Sequence, residues 1–157
     1  MQTQTKEIYA SGTTMDTSEI KDLCSRVGLE CRIIDLSELS NFDELYAVIH
    51  TGQTKNEYNS GITNHWVAIY GKYFFDSYGK YSAYALPEWV DTVDTVPRTL
   101  QEYSTNVCGM YVISFLKFCH DKSSLKSDPG REYSLYYDFD TDKKENDRKI
   151  LDWSKSV

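Results

Sequence analysis

Long apolar runs, clusters of basic residues and closely spaced cysteine pairs are all missing from this sequence, and each absence excludes a class of protein. No apolar run approaches the about 20 residues that a helix needs to cross a bilayer. Lys and Arg together number 17 against 24 Asp and Glu, which gives a net charge of −7. Because nucleic acids and anionic membranes attract clustered positive charge, this balance argues against both DNA and membranes as partners.

The start of the chain also lacks the features of a secretion signal. Residues 1–14 are polar and rich in threonine, without a basic stretch followed by an apolar one. The four cysteines form no C-x-x-C pair, and the close ligand pairs of a zinc site are missing; they are Cys24, Cys31, Cys108 and Cys119. We therefore expect an intracellular protein that is not secreted, with reduced thiols, no bound metal and no cofactor.

Proline is scarce as well, and no linker divides the chain. The 157 residues include three prolines, and no stretch rich in Pro, Gly or Ser separates two halves. This length suits one domain with a sizeable core. We predict a single domain over residues 1–157, with residues 1–15 as a flexible segment, and we expect a monomer.

Hydrophobic periodicity predicts a mixed α+β fold. Apolar residues recur at helical spacing over 16–27, where Asp16 and Glu19 have the spacing of a capping box. Residues 108–119 are apolar nearly all round, as in a buried helix. The other predicted elements are strands at 32–36 and 45–50, a hairpin over 65–79 that turns at Gly71-Lys72, a helix or turn and then a strand over 83–99, no regular period over 121–140, and a last helix at 142–154 opened by a capping box of Asp142 and Glu145. We expect a central, mostly antiparallel sheet flanked by helices, with Cys108 at the N-terminus of the buried central helix.

Cys108 is the candidate nucleophile. A thiol in the first turn of a helix meets unpaired N–H groups and the positive end of the helix dipole, and both favour the thiolate. A cysteine nucleophile also needs a histidine that carries protons, and His65 opens a strand of the predicted hairpin. His50 lacks a partner acid at a defined spacing and ranks below His65. Taken singly, each of these residues is more often structural than catalytic.

Asp76 and Gln101 complete the candidate site. If the hairpin turn has two residues, Val67 pairs with Asp76, so Asp76 lies on the His65 face one diagonal step away, within hydrogen-bond reach. Such an acid fixes the orientation of the imidazole. A three-residue turn would flip the face and leave Asp76 as a turn residue. Gln101 precedes Cys108 by seven residues, and its amide can donate to an oxyanion together with the Cys108 N–H; an exposed loop glutamine is the alternative.

Together these segments resemble a known family of peptidases. A His-Trp pair at 65–66, the phrase F-D-S-Y-G at 75–79 and the phrase Q-E-Y-S-T-N-V-C-G at 101–109 are similar to the adenovirus maturation protease (adenain) family. They are also similar to the SUMO-specific ubiquitin-like proteases of the same clan, which share the order His, Asp, Gln, Cys. The seven-residue spacing from Gln101 to Cys108 resembles that of adenain. An aspartate rather than a glutamate as the acidic residue, at Asp76, resembles the SUMO-specific proteases instead.

The resemblance implies a cysteine endopeptidase (a thiol protease) that cuts after small residues, commonly Gly, in viral structural precursors during virion maturation. Cys108 would be the nucleophile and His65 the general base and acid. Asp76 would orient His65, and Gln101 would be the oxyanion donor.

The resemblance also implies a setting and a cleft. Trp66 and Gly109 would line the oxyanion region or the substrate cleft, with Trp66 shielding His65 from water. The partners would be capsid or core precursor polypeptides of a virus, virophage or virus-like element. The enzyme would act in the nucleus or cytoplasm of the host cell and be packaged in the virion.

Two other interpretations of the sequence stay open. A SUMO or ubiquitin-like-modifier protease would use the same chemistry on a folded modifier that ends in Gly-Gly, and an inactive relative would serve as a scaffold or capsid component. The adenovirus enzymes are stimulated by DNA and by a short peptide that is disulfide-bonded to a cysteine before the glutamine. Here no cysteine lies between Cys31 and Cys108. The sequence therefore argues against DNA stimulation, and any activating peptide would bind without a covalent link at that position.

Overall fold

The computed structural model describes residues 15–51, 65–102, 106–122 and 128–157, and these residues form an α+β fold. The strands are β1 (Ile33–Asp35), β2 (Tyr46–His50), β3 (Trp66–Tyr70), β4 (Tyr73–Phe75) and β5 (Asp91–Thr92). The helices are α1 (Thr17–Arg26), α2 (Cys108–Asp121), α3 (Gly130–Tyr136) and α4 (Lys143–Ser156). Residues 52–64 and the first 14 residues of the segment 1–15, expected to be flexible, lie outside the described residues, whereas Met15 is described and buried.

The strands form one open, mostly antiparallel sheet in the order β1-β2-β3-β4-β5. The central pairings, β2 with β3 and β3 with β4, are antiparallel. The two edge strands, β1 and β5, each run parallel to their neighbour. The predicted α+β class is thereby confirmed.

The β3–β4 hairpin has the two-residue turn that the sequence predicts. The strand residues on either side of Gly71-Lys72 lie opposite each other. Gly71 has a φ of 60°, and a positive φ at the first loop position is what a type II′ turn needs. This register leaves Asp76, which directly follows β4, on the same face of the hairpin as His65.

β3 is buried along its whole length and divides its side chains between two cores. Trp66, Ala68 and Tyr70 belong to the larger core, to which all four described helices contribute. Val67 and Ile69 belong to a smaller core on the other face. Irregular chain around the 3₁₀ turns at 36–41 and 81–83 closes that smaller core, so the described helices pack on one face of the sheet.

Helix α2 is the buried central helix. Its 14 residues begin at Cys108, as predicted, and most of their side chains are buried. At 1.5 Å per residue the helix spans about 21 Å, and its buried side chains belong to the larger core along most of that length. In the part of the chain that the structure describes, no helix is both long and apolar enough to cross a membrane.

Side-chain caps fix the starts of α1 and α4. Asp16 Oδ1 accepts a bond of 2.8 Å from the Glu19 N–H, and Glu19 Oε1 accepts one of 3.0 Å from the Asp16 N–H, so the predicted capping box is complete. At α4 the Asp142 side chain accepts a bond from the Glu145 N–H. The Glu145 carboxylate turns to Arg148 on the next turn of the helix, so this start relies on the Asp142 cap and an ion pair.

One stretch agrees with the prediction and another differs from it. Residues 83–99 were expected to hold a helix or turn and then a strand, and they hold a turn closed by the bond from the Val90 N–H to the Pro87 carbonyl, followed by the two-residue strand β5. Residues 121–140, where no period was found, contain α3. In α3 Tyr133 is fully buried, whereas Leu135 and Tyr136 are 73% and 65% exposed. Because apolar side chains face both the core and solvent, no amphipathic pattern marks this short helix.

Candidate active site

Cys108 is the first residue of α2 and lies at its positive end. The first backbone bond of the i to i−4 type in this helix is donated by the Tyr111 N–H to the Val107 carbonyl. The N–H groups of Cys108 and Gly109 therefore precede the helical ladder and are available to an incoming acceptor. The Cys108 side chain is buried, with 2% of its surface exposed. A thiol in this position lies in the positive field of the helix N-terminus.

His65 and Asp76 meet across the hairpin. His65 Nε2 lies 2.7 Å from Asp76 Oδ1, which is the diagonal contact that the register predicts. Both residues are buried, with 3% and 0% of their surfaces exposed. With Nε2 engaged by the carboxylate, Nδ1 is the ring nitrogen that can exchange a proton with a thiol. The Tyr78 ring covers the imidazole, with the two ring centroids 4.6 Å apart.

A tight turn that begins at Asp76 holds the carboxylate. Asp76 Oδ1 also accepts a bond of 3.0 Å from the Tyr78 N–H, and Oδ2 accepts from the Lys80 N–H at 3.1 Å and from the Tyr84 hydroxyl at 3.3 Å. Asp76 is therefore both a strand-end turn residue and the partner of His65. The turn leaves the carboxylate little freedom, so it sets the position of the imidazole.

The charges around His65 favour its protonated form. Burial of the ring lowers the pKa of His65, but the negative charges of Cys108 and Asp76, with hydrogen bonding to both, more than offset this and raise the pKa to about 10. Cys108 is thus close enough to His65 to act on its protonation. Near neutral pH the site therefore holds an imidazolium between two groups that can carry negative charge.

Gln101 is buried and fixed by the residue after the acid. Its Oε1 accepts a bond of 2.5 Å from the Ser77 hydroxyl, and its backbone N–H donates to the Ser77 carbonyl. Because the Ser77 hydroxyl fixes the oxygen, the orientation of the amide is set, and its NH₂ group is a hydrogen-bond donor. Gln101 is therefore not the exposed loop glutamine of the alternative interpretation. A donor of this kind is what an oxyanion requires.

Trp66 and Gly109 lie together on the other side of β3. The Trp66 indole donates a bond of 2.7 Å to the Met15 carbonyl. A Cβ added to Gly109 would lie 2.7 Å from Ile20 Cδ1 and 2.9 Å from Met15 Sδ. The close approach of α1 to α2 is enough to explain this glycine. Neighbouring strand residues point to opposite faces, so the ring that covers His65 is Tyr78 rather than Trp66.

Four further residues around the site are absent from the sequence interpretation. Ser77 holds Gln101, Tyr78 covers His65, and the Thr51 hydroxyl pairs with the His65 backbone on both its N–H and its carbonyl. Asn106 is 2% exposed, and neither polar atom of its side chain has a hydrogen-bond partner within the described ranges. Ser77 and Tyr78 belong to the F-D-S-Y-G motif and directly follow Asp76. That position next to the candidate acid is the feature of the sequence that could have pointed to them.

His50, ranked below His65, does have an acid beside it. His50 Nδ1 is 4.0 Å from Asp35 Oδ1, because the parallel register of β1 and β2 places the two residues opposite each other. The Asp35 side chain is 69% exposed, so solvent screens the pair. His65 and Asp76 remain the candidate pair.

Two of the other cysteines, Cys24 and Cys119, are buried thiols away from the candidate nucleophile. Burial raises the pKa of the Cys24 and Cys119 thiols well above the usual value, which keeps both protonated. Among the residues with described positions, no group of three or more His, Cys, Asp or Glu side chains converges as metal ligands would. The candidate chemistry therefore lies with Cys108 and its neighbours.

No family model, curated protein or solved structure matches this chain. What the site can do must therefore be argued from its own residues. These residues bring together a thiol at a helix N-terminus, a buried imidazole on an anchored carboxylate, and a fixed side-chain amide.

Proposed function

We propose that the protein is a cysteine peptidase with Cys108 as nucleophile, His65 as general base and acid, and Asp76 as the residue that orients His65. One observation carries the proposal: His65 makes a fully buried contact of 2.7 Å with Asp76, and the charge and hydrogen bonding of Cys108, the first residue of α2, help to raise the pKa of His65. Buried ionisable groups with a shifted pKa and a specific charged partner occur most often at functional sites, which favours a chemical role for this pair.

In the first half of the reaction, Cys108 becomes acylated. The sulfur attacks the carbonyl carbon of the peptide bond, and the carbonyl electron pair moves to the oxygen, which becomes an oxyanion. The Gln101 amide and the Cys108 N–H donate hydrogen bonds to that oxygen. His65 gives its proton to the leaving nitrogen as the C–N bond breaks, which leaves a thioester on Cys108 and a free amine.

In the second half, water releases the acyl group. The neutral His65 imidazole takes a proton from a water molecule, whose oxygen attacks the thioester carbon. The C–S bond then breaks, the carboxylic acid product leaves, and the thiolate–imidazolium pair is restored. Throughout the cycle Asp76 holds the ring, so that the same nitrogen faces the sulfur each time.

The burial of the site favours small residues before the cut bond. Cys108 and His65 are only 2% and 3% exposed, so a glycine beside the cut bond needs less room there than a residue with a bulky side chain. With the sequence resemblance, this supports cleavage after Gly in precursor proteins of a virus or virus-like element during particle maturation. The capsid or core precursors as substrates, and a location in the infected cell and the virion, rest on the resemblance.

The experiment is cleavage of a peptide library with glycine before the scissile bond, followed by mass spectrometry of the products. Cys108→Ala should lower cleavage to background while the far-ultraviolet circular dichroism spectrum stays unchanged. Cys119→Ala is the matched control, because it removes a thiol from the other end of the same helix. That variant should keep the activity of the unsubstituted protein.

The outcomes separate the competing functions. Undiminished cleavage by Cys108→Ala would contradict the proposal. An unsubstituted protein that ignores the peptides but reacts at Cys108 with the vinyl sulfone of a folded Gly-Gly modifier would instead be a modifier protease. Failure to react with either substrate would favour the non-enzymatic role as a scaffold or capsid component.

A further inference from the structure

Helix α4 places two fully buried polar residues against the chain that carries Gln101. Asn146 and Asp147 are both 0% exposed, although they are adjacent on a helix that is otherwise largely polar toward solvent. Burying a carboxylate lowers the stability of the fold unless several donors bind it. The donors that bind Asp147 therefore indicate its role.

The partners of Asp147 come from two other parts of the site. Asp147 Oδ1 accepts a bond of 2.6 Å from the Tyr111 hydroxyl, and Oδ2 accepts one of 3.2 Å from the Glu102 backbone N–H. Tyr111 lies three residues after Cys108 on α2, and Glu102 follows Gln101 directly. One carboxylate therefore joins the nucleophile helix to the oxyanion-donor segment.

Asn146 holds the other side of Gln101. Its amide Nδ2 donates to the Leu100 carbonyl at 3.1 Å and to the Asp140 carbonyl at 2.7 Å. The Leu100 N–H and the Gln101 N–H both donate to the Ser77 carbonyl. Chain atoms on both sides of Gln101 are thus bound by α4, while Gln101 itself is bound by the turn that contains Asp76.

We propose that Asp147 is a positioning residue for Gln101, and that α4 is the element which sets the distance between the oxyanion donor and the sulfur. Asp147 does not act on a reacting atom directly. Its one carboxylate binds both the Glu102 N–H and the Tyr111 hydroxyl, and so holds the segment that carries Gln101 against α2. The two oxygens of Asp147 accept from two different segments, whereas an amide in its place has one oxygen and could accept from only one of them. This inference rests on the proposed function for Gln101.

The test compares Asp147→Asn with Ile150→Val, a matched control. Ile150 is a buried residue three positions further along α4, and its shortening weakens the same helix without a bond to residues 100–102. Asparagine keeps the size of Asp147, but its NH₂ group would face a donor. Tyr111→Phe, which removes the other donor and keeps the ring, serves as the second variant if Asp147→Asn does not fold.

Three measurements are made on each variant: hydrolysis of p-nitrophenyl acetate and of a glycine-containing peptide, alkylation of Cys108 by iodoacetamide, and hydrogen exchange of the Glu102 amide by NMR. Alkylation needs the sulfur but no oxyanion. We expect Asp147→Asn to lower kcat by about 10-fold to 100-fold with little change in KM, since one oxyanion donor contributes about 10²–10³ in kcat. Alkylation should stay within about 2-fold, because the nucleophile is untouched.

A double-mutant cycle separates positioning from general damage. Once Gln101→Ala has removed the donor, adding Asp147→Asn should lower kcat by less than about 3-fold, because coupled residues are not additive. The Glu102 amide should exchange at least about 10-fold faster in Asp147→Asn than in Ile150→Val, since its acceptor is weakened. This exchange readout does not depend on catalysis.

The outcomes distinguish the two proposals. The positioning role would be overturned if Asp147→Asn left kcat unchanged, or if it lowered kcat equally in the unsubstituted protein and in Gln101→Ala. The proposed peptidase function would be unaffected by either result. If the unsubstituted protein hydrolyses neither substrate, the proposed function is lost, and unchanged exchange at Glu102 would then also overturn the link through Asp147.

Discussion

At the residue scale, Asp76 joins two roles that usually compete. The side-chain oxygens of an aspartate in a turn usually accept hydrogen bonds from nearby backbone N–H groups, whereas a catalytic carboxylate must contact an imidazole. Asp76 does both, because the hairpin register leaves Oδ1 pointing at His65 while the turn donors bind around it. The cost of burying the carboxylate is offset by these donors, and the position of the imidazole follows from the turn.

This arrangement predicts the pH dependence of catalysis. His65 has a pKa raised to about 10, so its proton is present near neutral pH and is lost as the pH rises through that value. Amine departure needs that proton, so kcat/KM should fall on the alkaline side. Asp76→Asn removes one of the charges that raise the pKa of His65. The fall of kcat/KM on the alkaline side of the pH profile (the alkaline limb) should therefore move to lower pH. NMR titration of the His65 ring nitrogens measures the same shift directly.

The matched control for this prediction is Asp35→Asn. It neutralises the carboxylate beside His50, which is exposed and pairs with a different ring. It should leave both the alkaline limb and the His65 titration in place. A limb that moves equally in the two variants would mean that His65 does not control it.

The contact of His65 with Asp76 could be predicted because it depends on one local fact, a two-residue turn at Gly71-Lys72. Once that turn is assumed, period-two alternation decides which residues share a face. The contacts of Ser77 and Asp147 depend on how separate segments pack beside each other. No periodicity in one segment carries that information, so the support of Gln101 could be found only in three dimensions.

At the element scale, the crossing of α1 and α2 depends on the missing side chain of Gly109. Gly109→Ala should destabilise the protein by about 1–3 kcal/mol, because its Cβ would lie 2.7 Å from Ile20 Cδ1 in a fully packed region. Ile20→Val removes that methyl group. The double variant should therefore lose less stability than the sum of the two single variants.

Urea unfolding of the four proteins measures this coupling. The Ile20→Val variant is its own control for the lost methylene, which costs about 0.5–1.5 kcal/mol alone. Strictly additive losses would mean that the neighbours of Gly109 move aside without strain. A glycine needed only for substrate access would leave stability unchanged in Gly109→Ala.

The helices could be predicted to different extents for one physical reason. Helix α1 presents a single buried stripe and a complete capping box, so periodicity and caps agree. Helix α3 has seven residues, and its apolar Leu135 and Tyr136 face solvent while Tyr133 packs inside. A strand was expected within 83–99, but β5 has only two residues, both exposed and paired with β4, so alternation could not give its bounds. Tertiary packing defines α3 and the bounds of β5, and local pattern does not.

At the scale of the whole molecule, the site involves the start of α2 and the end of the sheet where the inner strand β3 begins and its neighbour β4 stops. β3 begins with His65 just before it, β4 ends just before Asp76, and the chain from Ser77 onward holds Gln101. Helix α4 then ties that chain to α2 through Asp147. The turn that begins at Asp76 therefore holds two of the candidate groups, His65 through the Asp76 carboxylate and Gln101 through Ser77, while α2 carries the third, Cys108.

The net charge of −7 leads to a prediction about substrate capture. A negatively charged enzyme attracts cationic chains over distances near the Debye length, about 8 Å at physiological ionic strength, and salt weakens that attraction. Two glycine-containing peptides that differ only in distal Lys or Glu residues provide the measurement. Between about 25 mM and 250 mM salt, kcat/KM should fall several-fold for the lysine peptide and rise or stay level for the glutamate peptide, with kcat unchanged for both. An equal response of the two peptides would mean that charges within the cleft, rather than the charge of the whole molecule, govern capture.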